Sequence, residues 1–260
     1  MQKGIYYSIL PGDTPEEKFA AASEIGFDCV EIPTLRTPEE RKRFKDAADK
    51  AKIRIPSVMN SDHWSFPSSS PDPEVREKGL ACIRQSLETA LAVNADTVLL
   101  VPAVVNPEVR YEDAWPRSQA EIRKILPEFE AAKIYLAVEN VGNKFLLSPP
   151  EMVKYIDEFK SPWLVAYFDV GNIVPYGFPQ HWILSLGKRI KKIHVKGYAT
   201  KPVGATPDLL SGNIDWKAVI DAIREVGYDD VLTAELQGVG ETKFDKCRNI
   251  CEDIDKILAM

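Results

Sequence analysis

Short apolar runs alternate along the chain with longer stretches of helical period. The strand-like runs fall at Ile5–Leu10, Cys29–Pro33, Arg54–Met59, Thr97–Pro102, Ile134–Asn140, Leu164–Asp169, Ile190–Lys196 and Val231–Leu236. Amphipathic stretches separate them. The first opens with Thr14 as a helix cap and Pro15 at the first helical position, and Gly26 stops it. Asp215 and Gly227 bracket "WKAVIDAIREVG" in the same way, and the last stretch lines up Ile250, Ile254 and Ile257 on one face. Eight strand–helix repeats predict an α/β fold, a single (β/α)8 TIM barrel over residues 1–260. A doubly wound open sheet usually shows a glycine-rich phosphate turn after a strand, and "SILPGD" is not one. The stretch 60–73, "NSDHWSFPSSSPDP", is the one conspicuous loop. It lacks any regular period and is expected to move over a ligand.

The strand ends carry the candidate chemistry. Active sites of such barrels sit where strands end. The fifth strand ends on Glu139 and the sixth on Asp169, while the seventh carries His194 and the eighth Glu235. Side chains alternate along a strand, so inward Glu139 sends Val138, Leu136 and Ile134 outward. The same parity turns Phe168, Leu164, Ala234 and Leu232 outward. The seventh strand is less clean, because Lys192 shares the parity of His194. Three carboxylates and an imidazole on consecutive strands suit one divalent metal ion: Mn²⁺, Mg²⁺, Co²⁺ or Zn²⁺.

Composition narrows the class without changing that picture. The net charge of −6 argues against a dedicated nucleic-acid binder. No apolar run is long enough to span a membrane. Cys29, Cys82, Cys247 and Cys251 form no zinc-type set and read as reduced, structural thiols. No signal-peptide pattern opens the chain, so the expected setting is cytoplasmic.

Several stretches carry a resemblance: "AVENVGNKFLLSP", "AYFDVGNIVPYG", "LGKRIKKIHVK", "GNIDWKAVIDAIREVGYDDVLTAEL" and, less specifically, "EIGFDCVEIP". Together they resemble the xylose isomerase-like TIM-barrel superfamily, in its sugar and sugar-phosphate isomerase/epimerase branch. The resemblance implies a metal held by Glu139, Asp169, His194 and Glu235. It implies a small-molecule sugar or sugar-phosphate substrate, and leaves a homo-oligomer open. It also implies ketose 3-epimerisation, with Glu139 and Glu235 passing a proton through a metal-stabilised enediolate. Two departures concern the substrate side. Gly197 follows the "HVK" lysine where many relatives are acidic, and Gly142 stands where many carry Trp.

Other residues near the strand ends are candidate substrate contacts. His63, beside Trp64 and Phe66, either bonds a sugar hydroxyl under an aromatic cover or is a packed loop histidine. Asn172 either contacts substrate or shapes its turn. Lys196 has the wrong parity but can bend in toward a phosphate or hydroxyl. Glu31 is either a pocket residue or an ion-pair partner. His181 reads as the start of a surface helix. Aldose–ketose isomerisation and an inosose-type dehydratase on the same barrel are the alternatives. A DNA-repair endonuclease of this superfamily would need a histidine-rich zinc cluster, and the chain has only three histidines.

Overall fold

The computed structural model describes residues 1–260. Eight parallel strands close a barrel: β1 (Gln2–Tyr6), β2 (Cys29–Pro33), β3 (Ser57–Met59), β4 (Thr97–Leu100), β5 (Tyr135–Glu139), β6 (Leu164–Asp169), β7 (Ile190–Val195) and, after a hairpin, β10 (Val231–Ala234). The hairpin is a separate antiparallel pair, β8 (Tyr198–Thr200) and β9 (Val203–Ala205). Eight helices follow the strands: α1 (Pro15–Ile25), α2 (Pro38–Ala51), α3 (Pro73–Val93), α4 (Tyr111–Ala132), α5 (Pro149–Asp157), α6 (Pro179–Leu186), α7 (Trp216–Glu225) and α8 (Lys243–Leu258). The expected (β/α)8 architecture is the one observed.

The caps act as their residue types dictate. The Thr14 hydroxyl accepts from the Glu17 N–H while Glu17 reaches back to Thr14, and Gly26 closes α1 in the left-handed conformation. The Asp215 carboxylate accepts from the Ala218 N–H to start α7.

Strand parity divides the apolar residues into two bodies. Sixty-four buried residues form one cluster that includes the outward Leu136, Val138, Phe168, Ile193 and Leu232 and the helix faces that cover them. Inside the barrel only Leu99, Ala137, Val165 and Tyr167 form an apolar cluster. The rest of the lumen is polar, with Glu31, Ser57, Thr97, Lys192, His194 and Thr233 all fully buried. Polar groups there need partners, and that need shapes both barrel ends.

The lower end explains the irregular seventh strand. Lys192 does point inward like His194, one layer below it. Its ammonium lies 2.7 Å from Asp96 and 2.5 Å from Asp230, and Arg54 also bonds Asp230. The β6–β7 register shifts between Ala166 and Tyr167.

Strand β1 differs from expectation. It spans Gln2–Tyr6 rather than Ile5–Leu10, and Tyr7–Ile9 forms a 3₁₀ turn. Lys18 holds the turn by donating to the carbonyls of Tyr7 and Leu10. Leu10 is buried, but in the core outside the lumen. The third strand is shorter too. Pro56 has no N–H for the ladder, and Arg54 makes only an isolated bridge to Cys29.

Replacing Lys192 with Met should lower stability by about 1–3 kcal/mol. That is below the ~3–5 kcal/mol of a fully buried broken pair, because Asp96 and Asp230 are partly solvated and Asp230 keeps Arg54. Urea unfolding checks it: the midpoint should fall at unchanged slope.

Candidate metal centre

Each ligand-type residue stands at the same end of its strand. Glu139 and Asp169 close β5 and β6, His194 is the penultimate residue of β7, and Glu235 directly follows β10. Their ligand atoms all lie within 4.8 Å of one another. Glu139, Asp169 and His194 are buried, and Glu235 is partly open to the mouth. The His194 Nδ1 lies 3.2 Å from Glu139 Oε1, 3.8 Å from Glu235 Oε2 and 3.9 Å from Asp169 Oδ2. Buried Asp169 Oδ2 has no hydrogen-bond donor of its own, although the Lys196 ammonium lies 3.0 Å away. Three carboxylates and an imidazole gathered this closely form a set of hard and borderline donors that fits a divalent cation.

The same end is electrostatically strained without a cation. Burial raises the Glu139 carboxyl to about 7, against the opposing pull of His194. Burial also raises Asp169, partly offset by Lys196 and His194. Burial would likewise raise Glu235, but His194 and Lys196 outweigh it and the net shift is downward. Burial would lower His194, yet Glu31 and Glu139 hold its pKa well above the ordinary imidazole value. A divalent ion would compete with protons for these atoms.

Asn140 and Asn172 frame the Asp169 turn. The Asn140 amide donates to the Asp169 carbonyl at 2.8 Å and its oxygen accepts the Asp169 N–H at 2.9 Å. The Asn172 N–H donates to Asp169 Oδ1 at 2.8 Å, and its side chain donates to the Asn140 carbonyl. Asn172, a candidate substrate contact, gives one amide N–H to this turn and is half-buried.

Lys196 does bend in, and it is already engaged. Its ammonium lies 2.7 Å from Glu235 Oε2 and 3.0 Å from Asp169 Oδ2. Gly171 makes room for it, since a Cβ there would stand 2.3 Å from Lys196 Cγ. Gly197 has a similar cause. A Cβ there would meet Thr206 Oγ1 at 1.9 Å and the Asp208 carbonyl at 2.1 Å. The segment after the hairpin packs onto that bare backbone, and Trp216 pins it by donating to the Leu209 carbonyl.

His63 is buried, and its Nδ1 accepts the Val101 N–H at 3.4 Å. Burial lowers its pKa to about 4, so it is neutral near pH 7 and keeps an Nε2–H to donate. Trp64 packs edge-on against it and is half exposed at the rim. The loop behind them is pinned in its second half: Ser69 bonds Val104 both ways, and Arg117 donates to the Ser69 carbonyl. His181 lies exposed on α6, outside the cluster.

A cleft of about 580 Å³ opens beside the cluster, lined by Tyr6, Ser8, Lys196, Thr206, Glu235 and Gln237 among others. Tyr6 belongs to this mouth and was not singled out from sequence. Glu31 resolves as an ion-pair partner, its Oε1 2.8 Å from His194 Nε2. Its signal in the sequence was a lone carboxylate inside the apolar "CVEIP" strand.

With this geometry in view, comparison with known proteins is direct. The model of the xylose isomerase-like TIM barrel matches residues 19–254. The chain belongs to that family. Among curated relatives, L-ribulose-5-phosphate 3-epimerase UlaE of Escherichia coli O1:K1 / APEC is 28% identical over 273 residues, covering 98% of this chain and 93% of that protein. The UlaE of Salmonella heidelberg (strain SL476) is 27% identical over 242 residues, covering 86% and 83%. The structure of an L-ribulose 3-epimerase superposes with a TM-score of 0.85 at 18% identity, covering 99% of this chain and 94% of that one. A D-tagatose 3-epimerase-like protein gives 0.84 at 20% identity, covering 100% and 98%. At these identities the structural matches show the shared barrel fold.

Binding of a divalent ion should displace protons from His194 and Glu139. Affinity should therefore fall as pH drops below about 7, since a raised pKa means the competing proton binds first. Calorimetric titration with Mn²⁺ in buffers of different ionisation enthalpy should show proton release. Asp169→Asn should retain much less metal after dialysis, and retention equal to the parent would remove Asp169 from the ligand set.

Proposed function

We propose that the chain is a divalent-metal-dependent ketose 3-epimerase, with Glu139 and Glu235 as its acid/base pair. The observation that carries this reading is the four-residue cluster at the barrel mouth, with these two glutamates flanking Asp169 and His194. The named relatives support it: each curated protein is a 3-epimerase acting on L-ribulose 5-phosphate.

Glu139, Asp169, His194 and Glu235 would hold the ion. When bound, it supplies Lewis-acid polarisation of the ketose carbonyl and stabilises the charge of the enediolate. The remaining work falls to the chain. One glutamate takes the proton from the carbon beside the carbonyl, and the other returns one from the opposite face, inverting that carbon. Burial keeps the Glu139 carboxyl basic, which offsets the loss of basicity that ligation brings. Lys196 holds Glu235 ionised and oriented. Neutral His63 offers its Nε2–H to a substrate hydroxyl, and Trp64 covers the rim. Asn172 serves the reaction by fixing the Asp169 turn.

Lys196 is the only cation lining the cleft, and two carboxylates already engage it. Ser8, Thr206, Gln237 and Tyr6 supply neutral donors and acceptors. These groups suit the hydroxyls of a ketose, and the Ser8 and Thr206 hydroxyls can equally bond the phosphate oxygens of a sugar phosphate.

A panel pairing free ketoses with their phosphates, run with Mn²⁺ in D₂O and read by NMR, tests this reading. Deuterium should appear at the inverted carbon of the product. A product lighter by one water would instead mean a dehydratase, and an aldose without solvent deuterium would mean a hydride-shifting isomerase. At measured metal occupancy, Glu139→Gln and Glu235→Gln should each lose about 10²–10⁴-fold in rate. A metal-loaded Glu139→Gln turning over at the parental rate would end the two-glutamate mechanism.

A further inference from the structure

Glu31 is fully buried inside the barrel, one layer below the candidate metal ligands, and the proton transfer leaves it no task. Its surroundings are specific. Glu31 Oε1 faces His194 Nε2 at 2.8 Å. Glu31 Oε2 accepts from the Tyr167 hydroxyl at 2.7 Å and from the Ser57 hydroxyl at 2.6 Å. The Tyr167 ring also packs on the His194 imidazole, with centroids 4.4 Å apart. Both carboxylate oxygens are thus occupied, and side chains from β3, β6 and β7 converge on the Glu31 carboxylate.

A neutral imidazole has one N–H and one lone pair. The nitrogen that donates to Glu31 cannot also ligate. Nε2 points at Glu31, whereas Nδ1 points at Glu139, Glu235 and Asp169. We propose that Glu31 is the positioning residue of the metal centre: it takes the Nε2–H of His194, so that the Nδ1 lone pair faces the ion, and Tyr167 and Ser57 lock its carboxylate in place. The proposal rests on the metal reading of the cluster. A carboxylate behind a ligating histidine fixes its tautomer and ring orientation and makes it a better donor, and loss of such a partner typically weakens binding about 10–100-fold. An ion pair serving the fold alone has weaker grounds for burial here, since apolar residues of similar volume often replace buried pairs without loss of stability. The two hydroxyls aimed at Oε2 also fit a group whose orientation matters.

Two measurements test it. First, Mn²⁺ affinity is measured by counting free ion in electron paramagnetic resonance spectra. Glu31→Gln should bind about 10–100-fold more weakly than the parent. Tyr167→Phe should weaken binding in the same direction by a smaller factor. Thermal midpoints of the metal-free proteins, taken in parallel, separate loss of fold from loss of ligand geometry. A folded Glu31→Gln with parental Mn²⁺ affinity overturns the proposal.

Second, long-range ¹H–¹⁵N spectra of the unaltered protein, labelled at histidine and loaded with Zn²⁺, decide the point even if Glu31→Gln does not fold. The chain has three histidines, so the spectrum is simple. The histidine that responds to metal should show Nδ1 as the ligated nitrogen and a retained, slowly exchanging Nε2–H. Ligation through Nε2 would overturn the role of Glu31 and leave the metal centre standing. No metal-dependent histidine at all would overturn both, which distinguishes the two failures.

Discussion

His194 lies between two buried carboxylates, Glu31 on one nitrogen and Glu139 on the other, and the chemistry of the barrel mouth depends on that arrangement. An imidazole with no exposed surface cannot borrow water to satisfy its nitrogens. Each nitrogen is therefore assigned a partner by the fold. The carboxylates around it are in the same position: too many negative charges share one dry end for all to be ionised without a compensating cation. The Lys196 ammonium, 3.0 Å from Asp169 Oδ2 and 2.7 Å from Glu235 Oε2, offsets part of that charge, and the ligand atoms of Glu139, Asp169, His194 and Glu235 gather within 4.8 Å of one another.

The rest of the structure supplies what this end requires. The large apolar cluster lies between strands and helices, so the lumen is left free to carry polar groups. The lower end deals with its own buried charge by closing Lys192 against Asp96 and Asp230. Two glycines matter for space rather than for flexibility. Gly171 admits the Lys196 stem, and Gly197 admits the segment after the hairpin. Any side chain after Lys196 would need a Cβ 1.9 Å from Thr206 Oγ1, so the bare backbone at Gly197 and the packing of that segment go together.

This placement also separates residues that border the cleft from residues that organise the cluster. Glu235, Tyr6, Ser8 and Gln237 line open space beside the cluster. Asn140 and Asn172 hold one another and the Asp169 turn. Lys196 stands between the two groups, since it borders the cleft while bound to two carboxylates. A residue of ligand-binding type near a strand end is therefore not by itself a substrate contact. Its existing hydrogen bonds decide how much of it remains to offer.

The sequence by itself determined the barrel, its parity and the four strand-end ligand types. Parallel strands all run the same way, so the last inward side chains of consecutive strands must gather at one end, and a period of two is enough to identify them. The irregular parity of Lys192 was legible as well, though its reason was not: Asp96 and Asp230 stand just ahead of two other strands. Only the tertiary structure decided the partners. Glu31 and His194 are 163 positions apart, and nothing in strand periodicity says which residue across a closed lumen will meet which. The start of the helical turn after Tyr6 was likewise hidden, because "YYSIL" is apolar enough for a strand while Lys18, from α1, claims its carbonyls. Local pattern determines which way a side chain points. What it meets there depends on closure of the barrel, which brings distant strands together in space.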